Sequence, residues 1–170
     1  MKKFELTSEF IVNIFGKKLF RIKALIEFGS VKAGELGGYI EKEENLSHNG
    51  NAWISGDAWV YGNAEISGDA EVSGNARVYG DAWVYGNAKV SGDAWVYGNA
   101  EVSGDAWVYG NAEISGDAEV SGNARVYGDA WVYGNADYAT VKGFGTECRT
   151  TTFFKCKDGI ARVSCGCFYG

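Results

Sequence analysis

The sequence predicts an all-β fold in which short parallel strands stack into a triangular solenoid. Three observations predict it: a six-residue repeat, an alternation of Asn and Asp between successive repeats, and a composition with 25 glycines and no proline. From Ala52 to Asn135 the chain consists of 14 consecutive units of the form A-x-[VI]-[YS]-G-[ND], without an insertion. Because 46% of the residues are apolar, this many glycines indicate turns between short strands, not disorder.

Each unit has the pattern of one strand followed by one corner. Alanine and valine or isoleucine alternate with a variable residue and a Tyr or Ser, which is typical of a strand with one buried face. The following Gly and Asn or Asp tolerate left-handed backbone angles, so the chain turns after every strand. Burying one valine contributes roughly 1.5–3 kcal/mol, whereas ordering each residue costs about 1–2 kcal/mol. A single unit is therefore unstable, and the units fold only as a stack.

The corner residue indicates how many units complete one coil. Asn and Asp alternate without exception along the array, and stacked strands lie about 4.8 Å apart. With two or four units per coil, every Asp would lie above another Asp and repel it. With three units, or about 18 residues, every Asp lies between two Asn, whose amide groups can donate to its carboxylate. The predicted corner ladder comprises Asn51, Asp57, Asn63, Asp69, Asn75, Asp81, Asn87, Asp93, Asn99 and Asp105.

The repeat resembles that of the hexapeptide-repeat family, whose motif is [LIV]-[GAED]-x-x-[STAV]-x. From Ile54 to Ala136, Val or Ile stands at the first motif position and Ala at the fifth. The second position departs from the motif because it holds Tyr or Ser. The resemblance implies a single-stranded left-handed parallel β-helix with three hexapeptides per triangular coil. Members of this family are commonly trimers, and many are acyltransferases.

With 18 residues per coil, the outward side chains fall on three faces. The first, which we call the aromatic face, carries Trp59, Tyr61, Arg77, Tyr79, Trp95, Tyr97, Glu113, Ser115, Trp131 and Tyr133. The second face carries Trp53, Glu71, Lys89, Trp107 and Arg125. The third face, which is acidic, carries Glu65, Trp83, Glu101, Glu119 and Asp137. On the aromatic face we expect Arg77 between two tryptophans, which is a geometry for cation–π contact.

The aromatic face is the first candidate for a function. Three interpretations stay open: the rings cover the strands and stack on one another, they are buried in a homo-oligomer, or they stack on sugars or bases. The expected interface of a dimer or trimer comprises Trp59, Tyr61, Arg77, Tyr79, Trp95, Tyr97, Trp131 and Tyr133. The ordinary interpretation of the acidic face is a solvated surface.

The sequence divides into an N-terminal cap and leader (1–46), the solenoid (47–137) and a C-terminal cap that contains the cysteines (138–170). The open ends of a solenoid expose strand edges, which caps must cover. We expect a β-hairpin of residues 10–15 and 19–26 at one end, and a hairpin of residues 150–156 and 160–165 at the other. The leader and the tail resemble uncharacterised proteins of bacteriophages and prophages. The leader also resembles that of an enteric-bacterial putative transferase of the same fold.

Two sets of residues are weak candidates for chemistry. The cysteines of the tail, spaced C-x7-C-x8-C-x-C, favour buried thiols over zinc or disulfides because no C-x2-C pair occurs; they are Cys148, Cys156, Cys165 and Cys167. The one histidine, His48, lies six residues before Ile54 on the inward register, where a structural role is expected. An acyltransferase of this fold generally uses a histidine base and a protruding loop, and no loop interrupts the array. We therefore expect no catalytic residue and no cofactor.

The net charge of −6 argues against direct binding of nucleic acid. No segment is long and apolar enough to span a membrane or to act as a signal peptide, so we expect a cytosolic protein. The resemblance to phage and prophage proteins implies the bacterial host cytoplasm, with association with the virion as the alternative. The sequence predicts a non-catalytic structural or protein-interaction solenoid that forms a homo-oligomer and contacts a host protein. The alternatives are an acidic decoy or inhibitor of a host nucleic-acid-binding or defence protein, and an acyltransferase.

Overall fold

A computed structural model describes residues 1–134 and, in the tail, the backbone of three strands at 138–144, 149–155 and 161–165. The strands are numbered β1 to β20 in chain order. Within the described residues, all regular structure is β apart from one short 3-10 turn at Glu43–Asn45. The predicted all-β fold is confirmed.

The repeat array forms three parallel sheets, one for each face of the solenoid. The aromatic face contains β5 (Trp59–Val60), β8 (Arg77–Val78), β11 (Trp95–Val96), β14 (Glu113–Ser115) and β17 (Trp131–Tyr133). The second face contains β4 (Trp53–Ile54), β7 (Glu71–Val72), β10 (Lys89–Val90), β13 (Trp107–Val108) and β16 (Arg125–Val126). The third face contains β6 (Glu65–Ile66), β9 (Trp83–Val84), β12 (Glu101–Val102) and β15 (Glu119–Val120). Residues 18 positions apart pair in these sheets, as Val60 does with Val78, so three units complete one coil as predicted.

The alanine and the valine or isoleucine of every unit point into the solenoid. These side chains are buried from Ala52 to Val132 and form one continuous core. The backbone of each rung donates to the next coil, as the N–H of Trp53 does to the carbonyl of Ala70 over 3.0 Å. Because the core and the hydrogen bonds repeat at the same interval, each rung depends on its neighbours for stability.

At the corners, backbone lies directly over backbone. Gly86 has a φ of 71°, in the left-handed region that side chains disfavour. A Cβ atom added to Gly86 would lie only 3.0 Å from the backbone nitrogen of Gly104, one coil later. Both the backbone angle and the close approach therefore require glycine, and the same arrangement recurs from corner to corner along the array.

The corner Asn and Asp residues form a hydrogen-bonded ladder on each of the three edges. In six pairs, the amide of an Asn donates to the carboxylate of the Asp 18 residues later, at 2.8–3.0 Å. The pairs are Asn51–Asp69, Asn63–Asp81, Asn75–Asp93, Asn87–Asp105, Asn99–Asp117 and Asn111–Asp129. The alternation of the two residues thus gives each of these carboxylates an amide donor in the preceding coil instead of a second carboxylate.

The N-terminal segment adds strands to the sheet of the aromatic face at the end nearest the N-terminus, which we call its upper end. Strands β1 (Phe4–Val12) and β2 (Lys18–Ala24) form an antiparallel hairpin, and β2 pairs antiparallel with β3 (Leu36–Ile40). Strand β3 then pairs parallel with β5, which gives an eight-stranded sheet. The first rung therefore lies upstream of the boundary that the sequence predicted at residue 47.

The hairpin turns earlier in the chain than the sequence predicted. The side-chain oxygen of Asn13 accepts hydrogen bonds from the backbone N–H groups of Phe15 and Lys17, both at 3.0 Å. These bonds close the turn directly after β1, so Ile14 and Phe15 belong to the turn and not to a strand. Both side chains are exposed there.

Polar side chains complete the open end of the first coil. Lys3 is only 2% exposed, and its ammonium group donates to the carbonyl oxygens of Ala52 at 2.9 Å and Gly50 at 3.3 Å. Burial lowers the pKa of Lys3 to about 8. The side-chain amide of Asn45 donates to the backbone carbonyl oxygens of Gly62 at 3.1 Å and Ala64 at 2.9 Å. Lys3 and Asn45 thus supply donors that a preceding coil would otherwise provide.

Three antiparallel strands follow the array: β18 (Tyr138–Phe144), β19 (Arg149–Lys155) and β20 (Ala161–Cys165). The pairing of β19 with β20 is the predicted second hairpin. Strand β18 was not predicted. The proposed turn at 157–159 lies outside the described residues.

The glycine stack predicts a difference between two Gly→Ala substitutions. Gly128 also has a positive φ, 66°, but no described atom lies within 4 Å of an added Cβ. Gly128→Ala should cost about 1–2 kcal/mol through its backbone angle. Gly86→Ala should cost about 1–3 kcal/mol more because it also presses on the next coil. Chemical denaturation followed by circular dichroism measures both, and equal losses would contradict the close backbone stacking.

The corner ladder predicts a salt-dependent loss of stability for Asn87→Asp. The substitution places a carboxylate between those of Asp69 and Asp105, so that three carboxylates lie in one column, and it removes the amide that donates to Asp105. We expect a loss of about 1–3 kcal/mol in low salt, from one hydrogen bond and two repulsive neighbours. The loss should shrink in 1 M NaCl, where charges are screened beyond about 3 Å. Asp105→Asn is the matched control, and its smaller effect should not depend on salt.

Candidate interaction surfaces

Arg77 lies between two tryptophans on the aromatic face. Its guanidinium carbon is 4.6 Å from the ring centre of Trp59 and 5.2 Å from that of Trp95. The three residues are brought together by the parallel pairing of β5, β8 and β11. The positive charge therefore faces the π-systems of two rings, a contact worth about 0.5–1 kcal/mol at exposed sites.

Beside this column, three tyrosines form a stacked ladder. The rings of Tyr61 and Tyr79 lie 4.9 Å apart at an angle of 3°, and those of Tyr79 and Tyr97 lie 4.9 Å apart at 2°. Burial, together with the neighbouring tyrosine hydroxyls, raises the pKa of Tyr79 to about 12. The stacked rings shield one another from water.

The ladder is interrupted in the lower part of the aromatic face. Ser115 replaces the next tyrosine, and its hydroxyl accepts a hydrogen bond from the indole N–H of Trp131 at 3.4 Å. The hydroxyl of Tyr97 forms a hydrogen bond with the carboxylate of Glu113. Trp131 and Tyr133 remain 43% and 64% exposed. The lower part thus presents aromatic rings whose charged neighbour, Glu113, is already engaged.

The N-terminal hairpin covers the upper part of the aromatic face. Leu19, Tyr39 and Tyr61 form a buried cluster, against which Trp59 packs in part. The predicted interface therefore divides into two parts. The upper part, around Trp59 and Tyr61, is covered. The lower part, which comprises Trp95, Trp131 and Tyr133, is exposed. Sequence analysis did not assign Leu19 or Tyr39 to this surface. The alternation of apolar and charged residues along β2 was the signal that could have placed Leu19 on the outer side.

On the second face, the two cations contact a carboxylate and a tryptophan of the same chain. Lys89 forms a 3.0 Å ion pair with Glu71. Its ammonium also lies 5.9 Å from the ring centre of Trp107, and the guanidinium of Arg125 lies 5.2 Å from the same ring. Trp53, at the top of this face, is buried. Trp107 therefore already has cation–π contacts with two residues of its own chain.

The third face places a tryptophan among carboxylates. Trp83 pairs in register with Glu65 in the preceding coil and with Glu101 in the following coil. Its side chain is 50% exposed. The hydroxyl of Tyr85 donates to Glu101 at 3.3 Å. Glu119 follows in the same column, whereas Asp137 lies outside the described residues.

His48 has both ring nitrogens engaged in the N-terminal cap. Its Nδ1 accepts a hydrogen bond from the backbone N–H of Lys3 at 3.2 Å, and its Nε2 lies 2.7 Å from the carboxylate of Glu43. The proton therefore belongs on Nε2, which donates to Glu43. This hydrogen bond is the main cause that lowers the pKa of Glu43. The imidazole also stacks on Phe4 at 4.4 Å, so it holds the first residues of the chain against the solenoid.

The structure corrects the register assigned to His48. The first coil is longer than the others, because Leu46 pairs with Ile66 and Ile40 pairs with Val60. Leu46 therefore occupies the inward position, and it is buried. His48 lies beyond it, at the half-buried edge of the cap.

The cysteine prediction falls largely outside the described residues. Cys165 ends strand β20, but its side chain is not described, and the other three cysteines, Cys148, Cys156 and Cys167, lie in undescribed segments. Within the described part of the chain, no group of three or more His, Cys, Asp or Glu side chains is arranged to hold a metal ion. The zinc site thus stays a prediction. No described helix is long and apolar enough to cross a membrane.

Comparison with known proteins finds a similar repeat. The family model of the YdcK beta solenoid repeat matches residues 70–86, 82–98 and 118–134. All of these matches lie within the array of hexapeptide units. No curated protein matches the sequence significantly. The fold and the repeat together define a β-solenoid repeat protein.

Proposed function

We propose that the protein is a non-catalytic structural and protein-interaction solenoid that self-associates through the lower part of its aromatic face. The observation that carries the proposal is the exposure of Trp95 and Trp131, at 39% and 43%, on one sheet beside the more exposed Tyr133. Trp95 and Trp131 lie two coils apart, with Glu113 between them. Large apolar rings that are exposed on one sheet typically mark an interface.

A second copy of the chain suits this surface better than a charged partner does. Arg77 is held between two tryptophans, and Glu113 is bonded to the hydroxyl of Tyr97. The remaining exposed surface is aromatic, and such a patch can pack against its own copy around a two-fold axis. A trimer is the alternative that the resemblance to hexapeptide-repeat proteins favours.

The contacts of His48 support the absence of a catalytic role. A general base must have a nitrogen free to take a proton from a substrate, whereas both nitrogens of His48 are engaged within the cap. The regularity of the array also supports this proposal, since the ladder of backbone hydrogen bonds runs from coil to coil across the described units. We place the protein in the host cytoplasm or on the virion, as the resemblance to phage and prophage proteins suggests.

An acidic decoy is the second candidate function, and the third face favours it. Glu65, Glu101 and Glu119 lie in one column there. A surface of one charge sign attracts the basic surface of a host protein. This function does not exclude self-association, because the two activities use different faces of the solenoid.

Self-association predicts that Trp95→Glu converts an oligomer into a monomer. The substitution places a charge in the centre of the proposed interface, where it would have to lose its water. Light scattering coupled to size exclusion should give the mass of a dimer or trimer for the wild type and of a monomer for Trp95→Glu.

The matched control is Trp107→Glu, because Trp107 occupies the same position of a unit on another face and is 42% exposed. This variant should keep the wild-type mass. A monomeric wild type, or equal dissociation of the two variants, would refute the proposed interface.

A further inference from the structure

The tryptophans of this array are platforms for cations wherever the neighbouring rung supplies one. Arg77 lies over both Trp59 and Trp95, and Trp107 has Lys89 on one side and Arg125 on the other. These contacts follow from the 18-residue register, which places a cation one coil above or below the ring.

Trp83 occupies the equivalent position on the third face but has carboxylates in place of cations. Glu65 lies one coil before it and Glu101 one coil after it. The indole is 50% exposed, the largest exposure of the described tryptophans. The π-surface and the two carboxylates therefore attract the same kind of ligand, a cation, and within the described residues neither cation–π contact nor ion pair occupies Trp83 or Glu65.

The surface around Trp83 is a groove and not a flat face. One depression is lined by Glu65, Ser67, Trp83 and Tyr85. A second depression, beside the N-terminal cap, is lined by Glu43, Glu44, Leu46, Ser47, His48, Glu65, Ile66 and Ser67. Both depressions are lined by Glu65 and Ser67, so they are neighbours on this face, and Glu43, Glu44 and Glu65 are the carboxylates among their lining residues.

We propose that this groove binds an arginine side chain of a partner protein. The guanidinium stacks on the indole of Trp83 and donates hydrogen bonds to the carboxylates of Glu65 and Glu101. Arginine fits better than lysine because its guanidinium is planar, stacks on aromatic rings and presents a fork of N–H donors. The chain itself shows a cation–π contact of this kind, because the guanidinium carbon of Arg77 lies 4.6 Å from the ring centre of Trp59. The bond from Tyr85 fixes the carboxylate of Glu101.

The proposed arginine site lies on the third face, which self-association does not use. The partner presents arginine on an exposed, extended segment, as basic nucleic-acid-binding proteins do. Nucleic acid itself would be repelled by the carboxylates. The site is independent of the aromatic face, so Trp95→Glu should bind the same ligand with unchanged affinity.

The test is a titration of the protein, labelled with ¹⁵N in its indole groups, followed by NMR. The probe is the peptide Gly-Arg-Gly-Arg-Gly, acetylated and amidated at its ends. The matched probe replaces both arginines by citrulline, which has nearly the same shape but no charge. The resonance that is lost in Trp83→Phe identifies Trp83.

We expect the arginine peptide to shift the Trp83 resonance saturably and the citrulline peptide to bind at least ten-fold more weakly. The double variant Glu65→Gln, Glu101→Gln should weaken the arginine peptide by at least ten-fold. Glu71→Gln, which removes a carboxylate from the second face, should leave the affinity unchanged.

Three results would overturn the proposal. The first is the absence of a saturable shift at Trp83 in a protein whose spectrum remains folded. The second is equal binding of the citrulline peptide, which would indicate stacking of a neutral ligand such as a sugar or base. The third is an equal loss in Glu71→Gln, which would indicate general attraction to a negatively charged protein.

Discussion

The close stacking of backbone at the corners is the constraint on which the rest of this structure depends. At Gly86 the chain turns with a positive φ, and the corner of the next coil lies so close that a Cβ would press on its backbone. Glycine at every corner lets successive coils superimpose at one interval. If the corners were wider or irregular, the short strands would lose both the hydrogen bonds to their neighbours and the alignment of the core columns. The apolar core stabilises the stack, but the corners set its register.

Once the register is fixed, side chains 18 positions apart form a column on the surface. Each column contains only a few residue types, which contact one another from coil to coil. Alternating Asn and Asp gives a ladder in which an Asn amide donates to the Asp carboxylate of the next coil. Tyrosine at three successive levels gives parallel rings 4.9 Å apart. One arginine between two tryptophans gives a double cation–π contact. Trp83 lies between two glutamates, and we propose that it binds a cation of another molecule there. The same six-residue unit thus produces surfaces of different chemistry through its variable positions alone.

The sequence predicted the columns because they follow from spacing, and it failed where spacing gives way to particular side chains. The arrangement of Arg77 between Trp59 and Trp95 needs only the 18-residue interval. The N-terminal end could not be predicted in this way. There, Lys3 and Asn45 replace backbone donors, and the first coil is longer, which puts Leu46 where the repeat pattern had placed His48. Asn13 closes the hairpin turn early, and Leu19 covers Tyr61 from outside. None of these contacts recurs at the six-residue or 18-residue interval, so the repeat pattern could not predict them.

The central claim is that residues 18 positions apart lie directly above one another, and disulfide formation between introduced cysteines tests it most directly. In a background with the four native cysteines replaced by serine, one variant carries Asn87→Cys with Asp105→Cys. The other carries Asn87→Cys with Asn99→Cys, two units further along the chain. A disulfide requires Cα atoms about 4.4–6.8 Å apart, a range that includes the spacing of stacked rungs, about 4.8 Å. Mild oxidation should therefore link 87 to 105 within one chain and leave 87 and 99 as free thiols. An intrachain link between 87 and 99, with none between 87 and 105, would contradict the three-unit coil.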